Sequence, residues 1–198
     1  HTLLDGLDLE NIPFMMYTGA SSLRLLALVA SALKAQGKDV SKLHGVIGAN
    51  PIAQLVRNGK LGESLDKDYD DMAECIRWAR KNAPGLRTVM ARSDVFSRGG
   101  CNAVQEVAYT FAMAVEYIRQ MQKRGISIQD IARSINFGCN TGAIFYIEIA
   151  KLRAARQVWA NIMKAFGADE ADCSAKLHAR PALFTKTIYD IGVNMLRN

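Results

Sequence analysis

The feature that most constrains this chain is a regular alternation of short apolar, β-prone runs with longer stretches whose apolar residues recur at helical spacing. Residues 13–18 (PFMMYT) read as a first strand, broken at Gly19, before Ser21 or Ser22 caps a helix ending near Gly37. Residues 45–49 (GVIGA) form a second strand, followed by a turn at Asn50-Pro51 and a short helix through Ile52, Leu55 and Val56 that closes at Asn58-Gly59. A helix over 66–83 carries Tyr69, Met72, Ile76 and Ala79 on one side. Its acidic residues come first (Asp66, Asp68, Asp70, Asp71) and its basic ones last (Arg77, Arg80, Lys81), as the helix dipole favours.

Pro84-Gly85 ends that helix, 87–91 (RTVMA) form a third strand, and 92–100 read as a polar loop. Asn102 with Gln105 three residues on resembles a capping box for a helix that buries Val104, Val107, Phe111, Val115 and Ile118 and stops at Gly125. A short helix at 128–131 precedes a fourth strand at 135–138 (INFG). A long helix over 141–166 then places Ile144, Ile147, Leu152, Ala155, Trp159, Ile162 and Phe166 on one stripe and stops at Gly167. Residues 176–180 (KLHAR) are the fifth strand.

Strands separated by helices imply parallel pairing with crossover connections, hence an α/β fold. Five such units in series fit an open doubly wound sheet or a portion of an eight-unit barrel. The first strand is followed by Thr18-Gly19-Ala20-Ser21, with no GxGxxG and no Walker lysine. The expectation is therefore a single domain over 1–198 that forms part of a (β/α)8 TIM-type barrel. Its opening at His1 and the helix-like pattern at 193–197 read as fragment boundaries.

Apolar residues make up 49% of the 198, enough for a substantial core. No apolar run approaches the roughly 20 residues that span a bilayer, and the first residues lack the basic start of a signal peptide. Cys75, Cys101, Cys139 and Cys173 are widely spaced, which suits reduced thiols and a cytoplasmic setting. The net charge of +6 is scattered among helices without interleaved aromatics, arguing against a nucleic-acid partner.

Few residues stand out chemically. His178 lies at a strand end, where a barrel places working groups, and fits either an acid, base or donor or a hydrogen-bonded half-buried histidine. His44 precedes its strand, on the face that a barrel uses for stability. Arg98, before Gly99-Gly100, adds charge near a helix start that could hold an anion, though the segment also reads as an ordinary capped loop. Cys101 and Cys139 have no neighbouring base and read as structural thiols. Lys151, Arg153 and Arg156 read as a solvated helix face. No HExxH, CxxC or carboxylate–histidine cluster marks a metal site.

Three passages are more specific. Glu148-Ile149-Ala150-Lys151-Leu152-Arg153-Ala154-Ala155-Arg156 leading to Trp159, Phe184 to Asp190 leading to Asn194-Met195-Leu196-Arg197, and Gly99-Gly100-Cys101-Asn102 with Glu106 to Thr110 and Glu116 to Arg119 resemble, in order, the barrel of the adenosylcobalamin-dependent acyl-CoA mutase family. The resemblance covers most of the chain. It implies an eight-stranded barrel through which acyl-CoA is threaded, with cobalamin carried against one mouth largely by a separate C-terminal domain.

The sequence departs from the family's catalytic chains at the places that matter for chemistry. Where those chains carry Gly-Tyr-His, this one has Ser93-Asp94-Val95, and Val95 can neither donate a proton nor hydrogen-bond through its side chain. Gly48-Ala49-Asn50 stands at a Gln-Asn-Asp segment, and residues 134–138 stand at Arg-Leu-Ser-Phe-Phe. His178 matches a family histidine, but Arg180 replaces the glutamine two residues later, and Ile191-Gly192 replaces Pro-Tyr.

These losses resemble the small subunit of the heterodimeric bacterial members. The resemblance thus implies a structural, non-catalytic chain, no catalytic residues, and His178, Arg180 and Arg98 as a vestigial substrate-binding set. Its partner would be the catalytic large subunit of a complex that isomerises methylmalonyl-CoA and succinyl-CoA. Adenosylcobalamin and acyl-CoA would belong to that complex, with no cofactor on this chain alone. Two alternatives stay open: the catalytic part of a related mutase with a remodelled site, and a non-catalytic assembly module whose exposed edges drive self-association.

Overall fold

The computed structural model describes residues 2–196. Five strands, β1 (Phe14–Gly19), β2 (Gly45–Ala49), β3 (Leu86–Arg92), β4 (Ile135–Thr141) and β5 (Leu177–Pro181), pair in chain order, every neighbour parallel. The sheet curls into a half-barrel, so the expected partial (β/α)8 architecture is the observed one.

The crossovers are α1 (Ser22–Ala35), α2 (Pro51–Asn58) with α3 (Leu65–Asn82), then α4 (Asp94–Arg98), α5 (Ala103–Lys123) and α6 (Ile128–Ser134), and finally α7 (Phe145–Ala165). The short α8 (Val193–Leu196) holds the described part of the helical pattern near the chain end; residues 197 and 198 lie outside the described residues.

Strand alternation divides the side chains between two layers. Ile47, Val89, Ala91, Ile135, Phe137 and Cys139 point outward into the cores beneath the helices. One core gathers β3 and β4 with α5, α6 and α7 around Phe111, Phe137 and Trp159; the other joins α1 and α3 to β2 through Leu26, Leu33, Ile47 and Ala79. Tyr69, Met72, Ile76 and Ala79 are buried along α3 as its periodicity predicts.

Three local expectations need correction. The polar loop after β3 contains α4, because the Phe96 and Ser97 N–H groups turn back to the Ser93 carbonyl and Ser97 is buried. Strand β4 continues to Thr141, which delays α7 to Phe145. Val104 and Ile147, expected in the core, line instead an apolar groove of about 540 Å³ between α5 and α7, and Ile144 is also exposed. The helices meet below that level, through Phe111 and Trp159.

The capping box forms as expected: Asn102 Oδ1 accepts from Gln105 N at 2.9 Å, and Gln105 Oε1 accepts from Asn102 N at 3.1 Å. Asn102→Ala removes the acceptor of the first bond and leaves the backbone N–H that donates in the second. We expect it to cost about 1 kcal/mol and to lower the calorimetric melting midpoint by about 2–4 °C.

Candidate functional site: the barrel mouth

A barrel places chemistry at the C-terminal ends of its strands, on the face away from the helices. Here that inner face is set by strand register. Tyr17 lies beside Gly48, Arg92 beside Gly138, Gly138 beside His178 and Asn140 beside Arg180. Gly48 and Gly138 leave notches that neighbouring side chains fill. A Cβ at Gly48 would lie 2.2 Å from Met90 Cβ, and one at Gly138 would lie 2.7 Å from Arg92 Cγ. Lower on the same face, Asn136 Nδ2 reaches Met90 Sδ at 3.3 Å.

Arg92 is the centre of the mouth. Its guanidinium carbon lies 4.1 Å from the Tyr17 ring centroid, and that of Arg57, from α2, lies 5.9 Å from it. Asp94, at the start of α4, sits between the two arginines: Arg57 donates to its Oδ2 at 2.5 Å, and Arg92 Nε lies 3.0 Å from its Oδ1. That second contact is an ion pair without hydrogen-bond alignment, so Oδ1 stays buried with no hydrogen bond. Burial pushes the Tyr17 phenol above its usual range and depresses the Arg92 guanidinium, whose charge Asp94 supports.

Beside this cluster, Asn50 is fully buried. Its Oδ1 accepts from the Tyr117 hydroxyl at 2.6 Å, while its Nδ2 finds no acceptor. Burial raises the Tyr117 phenol well above its usual range, so it stays a neutral donor.

A second polar nest lies at the end of β4. Strand β3 has turned into α4 by then, so the Asn140 backbone has no ladder partner on the β3 side and side chains replace it. Asn140 N donates to Ser93 Oγ and to Glu106 Oε1, both at 3.1 Å, and Ser93 Oγ donates in turn to Glu106. Lys151 Nζ donates to the Asn140 carbonyl at 2.6 Å and to Glu106 Oε2 at 3.1 Å, and lies 2.5 Å from Glu148 Oε2. Burial works against the Lys151 charge, yet Glu148 and Glu106 outweigh it and hold its pKa above the ordinary lysine value. Lys151 is thus a buried ion, which corrects its reading as part of a solvated face; Arg153 and Arg156 are exposed.

His178 and Arg180 share one face of β5 by the two-residue strand period, each partly buried. Arg98 ends α4 in solvent, and no hydrogen bond or ion pair among the described residues joins it to either. His44 precedes β2, its Nδ1 3.0 Å from the Lys42 carbonyl. Burial raises the Cys75 and Cys139 thiols to about 11, which makes both poor nucleophiles. Among the described residues no group of three metal-ligating side chains assembles, and no helix is long and apolar enough to cross a membrane.

Sequence reasoning missed Tyr17, Arg57, Arg92 and Asp94 as a unit. A signal existed for one of them, since Arg92 keeps the two-residue phase of Thr88 and Met90 along β3. The pairing of Asp94 with Arg57 spans 37 residues and follows only from the curl of the sheet.

Comparison with known proteins agrees with this architecture. The methylmalonyl-CoA mutase family profile matches residues 1–198. A methylmalonyl-CoA mutase small subunit of Porphyromonas gingivalis is 32% identical over 176 residues, covering 87% of this chain and 28% of that protein. In Streptomyces virginiae, a small subunit is 28% identical over 98% of this chain and 31% of its own length; a large subunit is also 28% identical, over 98% and 27%. The chain therefore spans less than a third of these relatives, and it resembles both subunit types to a similar degree. With a profile match along its whole length and the matching half-barrel, this chain belongs to the methylmalonyl-CoA mutase family.

Proposed function

We propose that this chain is barrel sequence from a small, structural subunit of an adenosylcobalamin-dependent mutase that interconverts methylmalonyl-CoA and succinyl-CoA, the chemistry being done by a catalytic partner. The observation that carries this reading is what fills the mouth. Arg92 covers Gly138 and stacks on Tyr17, and Arg57 and Arg92 are engaged by Asp94, so the space at this level is taken by the chain's own side chains. Val95, at the position where the resemblance implies a working histidine, packs against the core beneath the helices.

The mouth residues do not fit a resident adenosylcobalamin. Their charged groups are largely committed to one another, and the notches at Gly48 and Gly138 are filled. We therefore assign the cofactor to the partner. What this chain's residues do is hold shape: the Lys151 nest ties the end of β4 to α5 and α7, and the edges of β1 and β5 leave the sheet able to continue into further strands.

Calorimetric titration of the full-length chain with methylmalonyl-CoA and, separately, adenosylcobalamin tests the proposal. We expect binding only after the catalytic partner is added. Tight binding of acyl-CoA by the chain alone would instead favour a remodelled catalytic site, a reading to which His178 and Arg180 on one inner face lend support.

A further inference from the structure

The arrangement around Asp94 has the composition of an anion receptor. Two guanidiniums converge on one point, and an aromatic face lies beneath them. Guanidinium forks bind carboxylates in bidentate fashion, and removal from water strengthens such contacts. The receptor already holds a carboxylate. Asp94 is 2% exposed, one of its oxygens is hydrogen-bonded by Arg57, and the other meets Arg92 out of alignment.

We infer that Asp94 is an intramolecular ligand, filling a carboxylate receptor made by Arg57 and Arg92 over Tyr17 and keeping this mouth closed to small external carboxylates. The inference deepens the non-catalytic reading above and rests on it. Its physical basis is charge balance. Without Asp94, the largely buried Arg92 guanidinium would face the partly exposed one of Arg57 with no carboxylate between them, and an anion from solution is the simplest neutraliser. The imperfect Arg92 contact has a further consequence: a free carboxylate, unconstrained by the helix that holds Asp94, can align with both arginines.

The test uses the full-length protein, its Asp94→Ala and Asp94→Ser variants, and sodium acetate against sodium chloride at equal ionic strength. Thermal melting is followed by calorimetry. We expect Asp94→Ala to melt below the parent, and acetate, but not chloride, to raise its midpoint by about 3 °C or more. The parent should show no acetate-specific shift. Adding Arg57→Gln to Asp94→Ala should abolish the rescue.

Asp94→Ser vacates the carboxylate's space while leaving a hydroxyl for the guanidiniums, and covers the case in which the alanine variant does not fold. Isothermal titration should then detect acetate binding to Asp94→Ser and none to the parent. Equal acetate effects on parent and variants, or no acetate response in either variant, would overturn the inference. Acyl-CoA binding by the parent in the earlier titration would overturn the structural-subunit reading instead, so the two failures are distinguishable.

Discussion

Lys151→Ala is expected to destabilise the protein by about 3–5 kcal/mol, because it leaves buried Glu106 without its cation. Glu106 is 5% exposed, and one of its oxygens already serves Ser93 and the Asn140 N–H. The Asn140 carbonyl would lose a donor in the same step. Urea unfolding measures the loss, and a double-mutant cycle with Glu106→Gln identifies its cause. If the uncompensated charge dominates, Lys151→Met with Glu106→Gln should be more stable than Lys151→Met alone.

The pH dependence follows with a definite sign. Since the native fold holds the Lys151 pKa above its unfolded value, the stability it contributes is intact below about 10.4 and is lost as pH rises through the higher folded value. The gap in urea midpoint between parent and Lys151→Met should therefore be constant at neutral pH and shrink in strong alkali. A gap unchanged at high pH would mean that Lys151 acts there by packing and not by charge.

The second large effect is expected at Trp159. Its ring lies 4.6 Å from Phe137 and 5.5 Å from Phe111, measured between centroids, and Phe111 lies 5.0 Å from Phe137. The cluster joins β4 to α5 and α7, and Trp159 is 2% exposed. Trp159→Ala opens a void that packed neighbours cannot fill, at about 3–5 kcal/mol, or a fall in melting midpoint of roughly 10 °C. Trp159→Phe keeps a ring in the cluster and should lose clearly less. Equal losses for the two variants would show that the indole edge, and not the bulk of the ring, matters at this position.

The large elements were legible because their signals are local. The short apolar runs at 87–91 and 135–138, the acid-to-base gradient over 66–83 and the Asn102/Gln105 pair each describe a segment that largely dictates its own conformation. Element ends were less legible. Strand β4 runs to Thr141 because Ala179, Arg180 and Pro181 of β5 are there to pair with it, and no property of Thr141 itself announces this.

Helix faces were misread where two stripes compete. Along α7, the buried residues Lys151, Ala155, Trp159 and Met163 recur every four positions, whereas the apolar reading favoured Ile144 and Ile147. A lysine in that row looks like surface until Glu106, 45 residues earlier, is known to face it. The order of strands and helices, the α/β class and the departures at Val95 and Arg180 were thus determined by the sequence alone, because propensity and periodicity act over a few residues. Which charges are buried, and that Asp94 lies between Arg57 and Arg92, was decided by the tertiary structure, because those partners meet only when the curled sheet brings distant strand ends together.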